Sequence, residues 1–333
     1  MANGATTASP GLSFPREVFA KLTPGPFLLA HLKQSDPIRP NGRTLQESRS
    51  PSANTGSLTH SNGSAVVRVG DTAIVCGIRA EVLLASDIAE PPVDDLDDED
   101  LIEELGLLVP NLELSTGCSP AHLPGNPPST LAQSLSYRIL SLLHTSNLLS
   151  PGDLRIQYTE PHTDDDLPDE APKVVTKAYW VLYIDILCIA LDGNPFDAAW
   201  AAVIAALRNT TLPQAWWDAD REMILCSPIR SEARTIRFDV LPIASTFAAY
   251  STASAWKAGD DAQSWILADS DGLEEDVCRE KLTIVVARDE KREGGVLRLE
   301  KSGGIRIDRD AMRTCVRMAE DRWSAWEAAL RIT

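Results

Sequence analysis

The sequence predicts an α+β protein made of two similar strand-rich halves, each followed by packed helices, around mixed sheets. Three observations predict it. The longest weakly charged apolar run, Trp180 to Leu191, is interrupted only by Asp185 and is rich in Val, Ile and Tyr, as expected of a mid-sheet strand buried on both faces. Next come the turn residues Asp192-Gly193-Asn194-Pro195 and then Ala198 to Leu207, apolar on every side, which predicts a helix without a wet face, capped by Asn194 or Asp197. A buried strand feeding a buried helix through a Gly turn predicts a right-handed crossover unit on which the rest packs. Finally, short strand-like runs precede and follow this unit, and each series closes on a helix.

In chain order, residues 1–13 are small and polar and predict a disordered N-terminus, with residues 14–333 forming one domain. Phe14 to Lys33 reads as two short helices around Pro24-Gly25-Pro26. Ile38-Arg39-Pro40-Asn41-Gly42-Arg43, with Glu47 and Arg49 after it, is a turn dense in guanidinium that suits phosphate or local acids equally. The runs 63–69 and 72–78 flank Gly70-Asp71, a two-residue hairpin signal within a meander from Ser52 to Leu84. Leu108 to Leu114 predicts a strand, and Pro128 to Leu149 predicts a helix through Leu131, Leu135, Ile139, Leu142 and Leu143. Asp153 to Tyr158 predicts the strand before the central unit. Beyond that unit, strands are predicted at Glu222–Cys226, Thr235–Val240, Ile243–Ala249, Trp265–Ala268, Leu282–Ala287 and Gly295–Leu299. The last helix starts from Asp308 or Asp310, and Met312, Val316, Ala319, Trp323, Trp326 and Leu330 mark one face, with both indoles read as packing rather than base stacking.

Composition narrows the chemistry. The net charge of −17 argues against a chain that grips nucleic acid by itself, because phosphate contacts need clustered Lys and Arg. Ten carboxylates fall in residues 87–104 and six in residues 160–170, Pro-containing segments expected to be exposed acidic loops; outside them the chain is close to neutral. The six cysteines are scattered, with no CxxC and no His at metal spacing, which predicts reduced core thiols and no metal. No apolar stretch reaches membrane-spanning length, and the first residues lack the pattern of a secretory signal, so the expected setting is inside the cell.

Several blocks together resemble the RNase PH family, and within it the catalytically silent subunits of the eukaryotic RNA exosome ring. They are Arg39-Pro40-Asn41-Gly42-Arg43 with Glu47 and Arg49, the Gly63 to Glu81 meander, and Asp192-Gly193-Asn194 with Asp197-Ala198-Ala199. Ile266-Leu267-Ala268-Asp269 and the Gly303-Gly304 lead-in to the last helix complete the set, which extends from about Phe14 to Leu330. Val181-Leu182-Tyr183 and Gly125-Asn126-Pro127-Pro128 narrow the resemblance to one kind of ring subunit. The resemblance implies an RNase PH-like fold and a place in a hexameric ring of RNase PH-like subunits. It also implies an OB- or KH-type cap subunit, RNA threading the pore to a hydrolytic exoribonuclease, roles in rRNA maturation and RNA turnover, and pools in nucleus, nucleolus and cytoplasm.

Phosphorolysis brings two anions together, so an active member must supply guanidinium, hydroxyl and backbone donors at one spot. Active relatives do this with Asp-Gly-Gly-Thr-Arg at the strand-to-helix turn. Here Asp192-Gly193-Asn194-Pro195-Phe196 stands in that place, so Pro195 replaces the hydroxyl and Phe196 the clamping arginine. Active relatives also carry arginines just before and within the first long helix, whereas no Lys or Arg lies between Arg79 and Arg138. Their paired acids correspond to Asp269 and Glu275, read here as a solvated loop or a remnant of ancestry. The expectation is a non-catalytic chain without cofactor, with Arg39, Arg43 and Arg49 as the candidates for RNA, subunit or local acidic contact. An active phosphorolytic 3′-to-5′ exoribonuclease, rescued by Arg138 or a neighbour's arginine, is the alternative. A free-standing acidic adaptor acting through residues 87–104 is the third.

Overall fold

In the computed structural model the described residues are 15–89, 98–120, 122–123, 129–161, 172–252, 263–289, 291, 293–304 and 307–331. The expectations for residues 1–13, for Gly125 to Pro128, for residues 90–97 of the first acidic segment and for residues 162–170 of the second fall outside them.

Two short helices, α1 (Arg16–Leu22) and α2 (Pro24–Leu32), lead in. The first sheet holds β1 (Pro51–Thr55), β2 (Gly63–Val69), β3 (Thr72–Leu84), β4 (Leu108–Leu114), β5 (Arg155–Thr159) and β6 (Val174–Ala190). Its order is β1-β2-β3-β6-β4, with β5 also paired to β6. Gly70-Asp71 makes the expected tight hairpin, Val69 facing Thr72. β6 therefore runs mid-sheet, between β3 on one side and β4 and β5 on the other. It is not buried on both faces throughout: beyond Tyr183 it alternates, and Leu187 and Ile189 are exposed. Period-two alternation was masked in the sequence because the outward positions other than Asp185 are themselves apolar.

The sheet is mixed because β4 runs parallel to β6 while its other pairs are antiparallel. A parallel pair needs a crossover, and here it contains α4 (Thr130–Ser146) and the single turn α5 (Pro151–Leu154). The crossover is thus not the predicted β6-to-helix unit, since α6 (Pro195–Asn209) leads instead into the two-residue β7 (Thr211–Leu212). α5 also takes up Asp153 and Leu154, so that strand begins at Arg155. Part of the first acidic segment is helical: α3 (Asp98–Glu104) buries Leu101 and Ile102, two apolar neighbours that outweigh the expectation of a loop.

The hairpin of β8 (Ala215–Asp218) and β9 (Met223–Cys226) packs beside β5. β10 is only Arg234–Thr235, paired with β7; residues 236–240 form no strand because β7 offers two residues and no further ladder. The second sheet, order β12-β11-β13-β14, is wholly antiparallel: β11 (Leu241–Ser251), β12 (Ser264–Ala268), β13 (Glu280–Arg288) and β14 (Gly294–Ser302). The turn of helix α7 (Gly272–Val277) links β12 to β13.

α6 lies between the sheets, packed on β2 and β3 of one and β11 of the other, and every residue from Pro195 to Leu207 is buried. The long C-terminal helix α8 (Arg309–Arg331), capped by Asp308, lies across β1, β11 and β13. Trp323 and Trp200 donate their indole N–H to the carbonyls of Leu241 (2.7 Å) and Pro242 (2.9 Å), so these large rings are buried without an unpaired donor. One apolar cluster runs through both halves, and the β6–α6 turn stands at its edge where the halves meet.

Candidate functional site

The turn is built from its backbone outward. Gly193 has φ +71°, and a Cβ there would lie 2.4 Å from the Asp271 carbonyl carbon, so only glycine fits. Asn194 is left-handed at φ +49°, and Pro195 opens α6 at the position where a missing N–H costs least. The Thr72 hydroxyl donates to the Gly193 carbonyl (2.9 Å) and accepts from the Asp192 N–H (3.0 Å), tying β3 to the turn. Asp192 Oδ1 accepts from the Gly272 N–H (3.1 Å), which holds the turn against α7.

Phe196, expected from the sequence to stand where active relatives carry a clamping arginine, is 4% exposed. The Arg138 guanidinium, from α4, lies 3.8 Å from its ring centroid. Arg138 is further held by Glu300 of β14 (3.0 Å) and by the Thr283 hydroxyl of β13 (3.1 Å). The arginine offered as a rescue is therefore committed to a ring, a carboxylate and a hydroxyl of its own chain.

Asp269 corrects the expectation of a solvated loop. It is fully buried, at φ +49°, inside a cluster of cations. Its Oδ2 accepts from the Arg49 backbone N–H (2.8 Å) and Nε (2.9 Å), and its Oδ1 from Arg49 Nη2 (2.8 Å) and Asn194 Nδ2 (2.8 Å). Arg322 Nη2 lies 3.5 Å from Oδ1, and Arg43 Nη1 3.6 Å from Oδ2. Burial pushes the Asp269 carboxyl upward, but Arg322, Arg49 and Asn194 outweigh it and hold the group well below the usual carboxylate range. Burial lowers Arg49 as well, yet its bonds to Asp269 win and raise it; Arg43 is lowered by burial and by the neighbouring Arg39.

Glu275 is drawn elsewhere, pairing with Lys281 at 2.7 Å, so each of the two acids is spent on a different cation. Among the described residues no group of three or more His, Cys, Asp or Glu is placed to hold a metal. Burial also pushes the Cys188 and Cys278 thiols up to about 12, away from nucleophilic use.

Of the three candidate arginines, Arg39 lies inside the protein, where no RNA or subunit reaches it. Its guanidinium forms a fork with Glu274, Nε to Oε1 at 2.7 Å with Nη2 closing on Oε2, and donates to the Ala268 and Asp269 carbonyls at 2.7 and 3.1 Å. Arg43 donates to the Asp269 carbonyl (2.9 Å), and Arg49 to the Asp192 carbonyl (2.6 Å). The guanidinium-rich turn thus reaches the second half of the chain and meets Asp269 and α7.

Asn194 also donates to Asp197 Oδ2 (2.8 Å), and both Asp197 oxygens accept from Thr246, from its N–H at 2.8 Å and its hydroxyl at 2.7 Å. Asp197 is therefore a buried strut between α6 and β11 rather than an N-cap. Two participants were missed in the sequence, each with a readable signal. Arg322 sits on the apolar face of α8 between Ala319 and Trp326, a charge where packing demands a partner. Asp271 and Glu274 have the spacing of a capping box, which the structure contains.

A model of the 3′ exoribonuclease family, domain 1 (RNase PH), matches residues 47–213, half of the chain. The chain belongs to the RNase PH family. The "Exosome complex component rrp43" of Schizosaccharomyces pombe is 34% identical over 94% of this chain and 97% of that protein. This is the subunit, ribosomal RNA-processing protein forty-three, that Val181-Leu182-Tyr183 and Gly125 to Pro128 resemble. The "Exosome complex component Rrp42" of Methanothermobacter thermautotrophicus is 28% identical over 85% of this chain and 86% of its own. The RNase PH-like fold is shared with a chain of the Archaeoglobus fulgidus exosome with RNA bound to the active site, with a TM-score of 0.61 at 21% identity, covering 93% of this chain and 98% of that one. An archaeal exosome core chain superposes with a TM-score of 0.58 at 22% identity, covering 93% and 100%.

Proposed function

We propose that this chain is a non-catalytic structural subunit of the RNA exosome core ring. It supports 3′-to-5′ RNA processing and degradation, including rRNA maturation, by helping to thread RNA to an associated nuclease. The observation that carries the reading is the stack of Arg138 on Phe196. Where an incoming phosphate needs a free guanidinium, a hydroxyl and amide donors, this chain offers a buried ring, a proline, and an arginine held by Glu300 and Thr283. Removing one oxyanion-type donor costs about 2.7–4 kcal/mol of transition-state stabilisation, and several are replaced together at this turn. Asp192, Asn194, Pro195, Phe196, Asp269 and Glu275 are accordingly degenerate active-site positions that act in the fold rather than in chemistry, and no cofactor or metal is required.

Its partners would be other RNase PH-like subunits in a hexameric ring, an OB- or KH-type cap subunit, a hydrolytic exoribonuclease and the RNA in transit, in nucleus, nucleolus and cytoplasm. Two experiments test this. Purified chain is incubated with single-stranded RNA, phosphate and magnesium; no release of nucleoside diphosphates is expected, and release abolished by Asp269→Ala establishes the active-enzyme alternative. The endogenous protein is fractionated by size with mass spectrometry of co-eluting chains; a peak at the mass of the lone 36.2 kDa chain argues against ring membership.

A further inference from the structure

The donors around Asp269 come from segments far apart in sequence: the 43–49 loop, the turn before α6, and α8. Their charge is positive and is met by carboxylates: besides Asp269, Asp197 lies 3.8 Å from Arg322 and Asp192 3.6 Å from Arg49. Arg322 Nε and Nη2 have no hydrogen-bond partner although its side chain is only 6% exposed, and Nη2 lies 3.5 Å from the same carboxylate that Arg49 grips. A cation placed among three guanidinium groups is repelled, so the ligand this cluster takes is an anion with oxygen acceptors. Asp269 supplies one from within, and does so from a left-handed backbone conformation that glycine adopts without strain.

We propose that Arg43, Arg49, Arg322 and Asn194 form an oxyanion-binding site which the chain occupies with its own Asp269 carboxylate, fastening the 43–49 loop, the β6–α6 turn and α8 together. Even where a guanidinium cluster persists beside the degenerate turn, it is closed to an outside anion because it is already filled. The proposal goes beyond ring membership and stands or falls separately from it. The backbone carbonyl of Asp269 is held independently by Arg39 and Arg43, so the carboxylate can be removed while the surrounding chain keeps its other links.

Asp269→Gly relaxes the backbone and leaves a space the size of a small carboxylate, which formate or acetate fills. Asp269→Asn keeps the space occupied by a neutral amide. Melting temperatures of the full chain and both variants are compared in sodium chloride and in sodium formate at equal ionic strength. Both variants should melt below the parent in chloride. Formate should raise the Gly variant in a concentration-dependent way and leave the parent and the Asn variant where they were. A Gly variant that folds in formate alone also supports the site. Formate without effect on the Gly variant, a Gly variant that folds in neither salt, or an equal rise in all three proteins, overturns it. The fastening is read on the Asn variant, which fills the same volume: trypsin should cut after Arg43 and Arg49 about tenfold faster or more than in the parent. Unchanged protection there refutes the lock.

Discussion

Phe196→Arg tests the proposed loss of a phosphate clamp at the turn, and the structure gives it a definite cost. The native ring stacks under Arg138 at 3.8 Å, a contact worth about 0.5–2 kcal/mol at protein sites of graded burial. A guanidinium in its place sets two like charges roughly 4 Å apart, a repulsion of about 4 kcal/mol at an effective dielectric of 20. Glu300 neutralises one of them at 3.0 Å, and the 21% exposure of Arg138 lets part of the repulsion relax into water. The net loss should be about 3 kcal/mol, in the range seen when a buried charge is left unpaired. Urea denaturation of the single variant, of Arg138→Met, and of the double variant measures it as a thermodynamic cycle. The double variant should recover most of the loss, because removing Arg138 removes the repulsion. In an RNA and phosphate assay the single variant should release no nucleoside diphosphate, since Pro195 still blocks an amide and Arg138 is displaced rather than recruited. A Phe196→Arg protein as stable as its parent, or one that turns over RNA with phosphate, refutes the account of the deficit.

The remaining expectations follow from the same contacts. Because the Asp269 carboxyl is held below its ordinary value, its stabilisation is complete above the unfolded-state value of about 3.9 and is lost as pH falls. Acid titration followed by circular dichroism should show the parent weakening below about pH 4 and Asp269→Asn lacking most of that dependence. Gly193→Ala should cost about 2 kcal/mol or more in denaturant, since a Cβ meets the Ser270 carbonyl oxygen at 2.5 Å in a left-handed conformation. Trp323→Ala, which empties a site 1% exposed and orphans the Leu241 carbonyl, should cost about 3–5 kcal/mol by the same measurement, whereas a ring serving only RNA would leave stability unchanged.

Much of the architecture is legible in the residues because it follows from local rules. The Gly70-Asp71 hairpin, the all-apolar α6 and the stripe on α8 each follow from turn chemistry or helical period within a short window. Where a second element decides, the sequence misleads: Thr235 to Val240 has strand composition but only Arg234–Thr235 finds a ladder, and the crossover passes through α4 because β4, not a later strand, lies parallel to β6. Pro195 and Phe196 are legible as the losses we propose from a phosphate-binding motif, since the chemistry of phosphate binding is written in residue type. What they are lost to is not: that Arg138 lies on Phe196, that Arg39 is buried against Glu274, and that Asp269 draws guanidinium from positions 43, 49 and 322.

The sequence by itself determined the family and the two-part alternation of strands and helices, because spacing and side-chain chemistry are properties of short stretches. Only the tertiary structure decided where the charges go. Coulomb attraction depends on distance and burial, and Arg49 reaches Asp269 across 220 residues of chain at 2.8 Å, a proximity created by the two halves closing on α6.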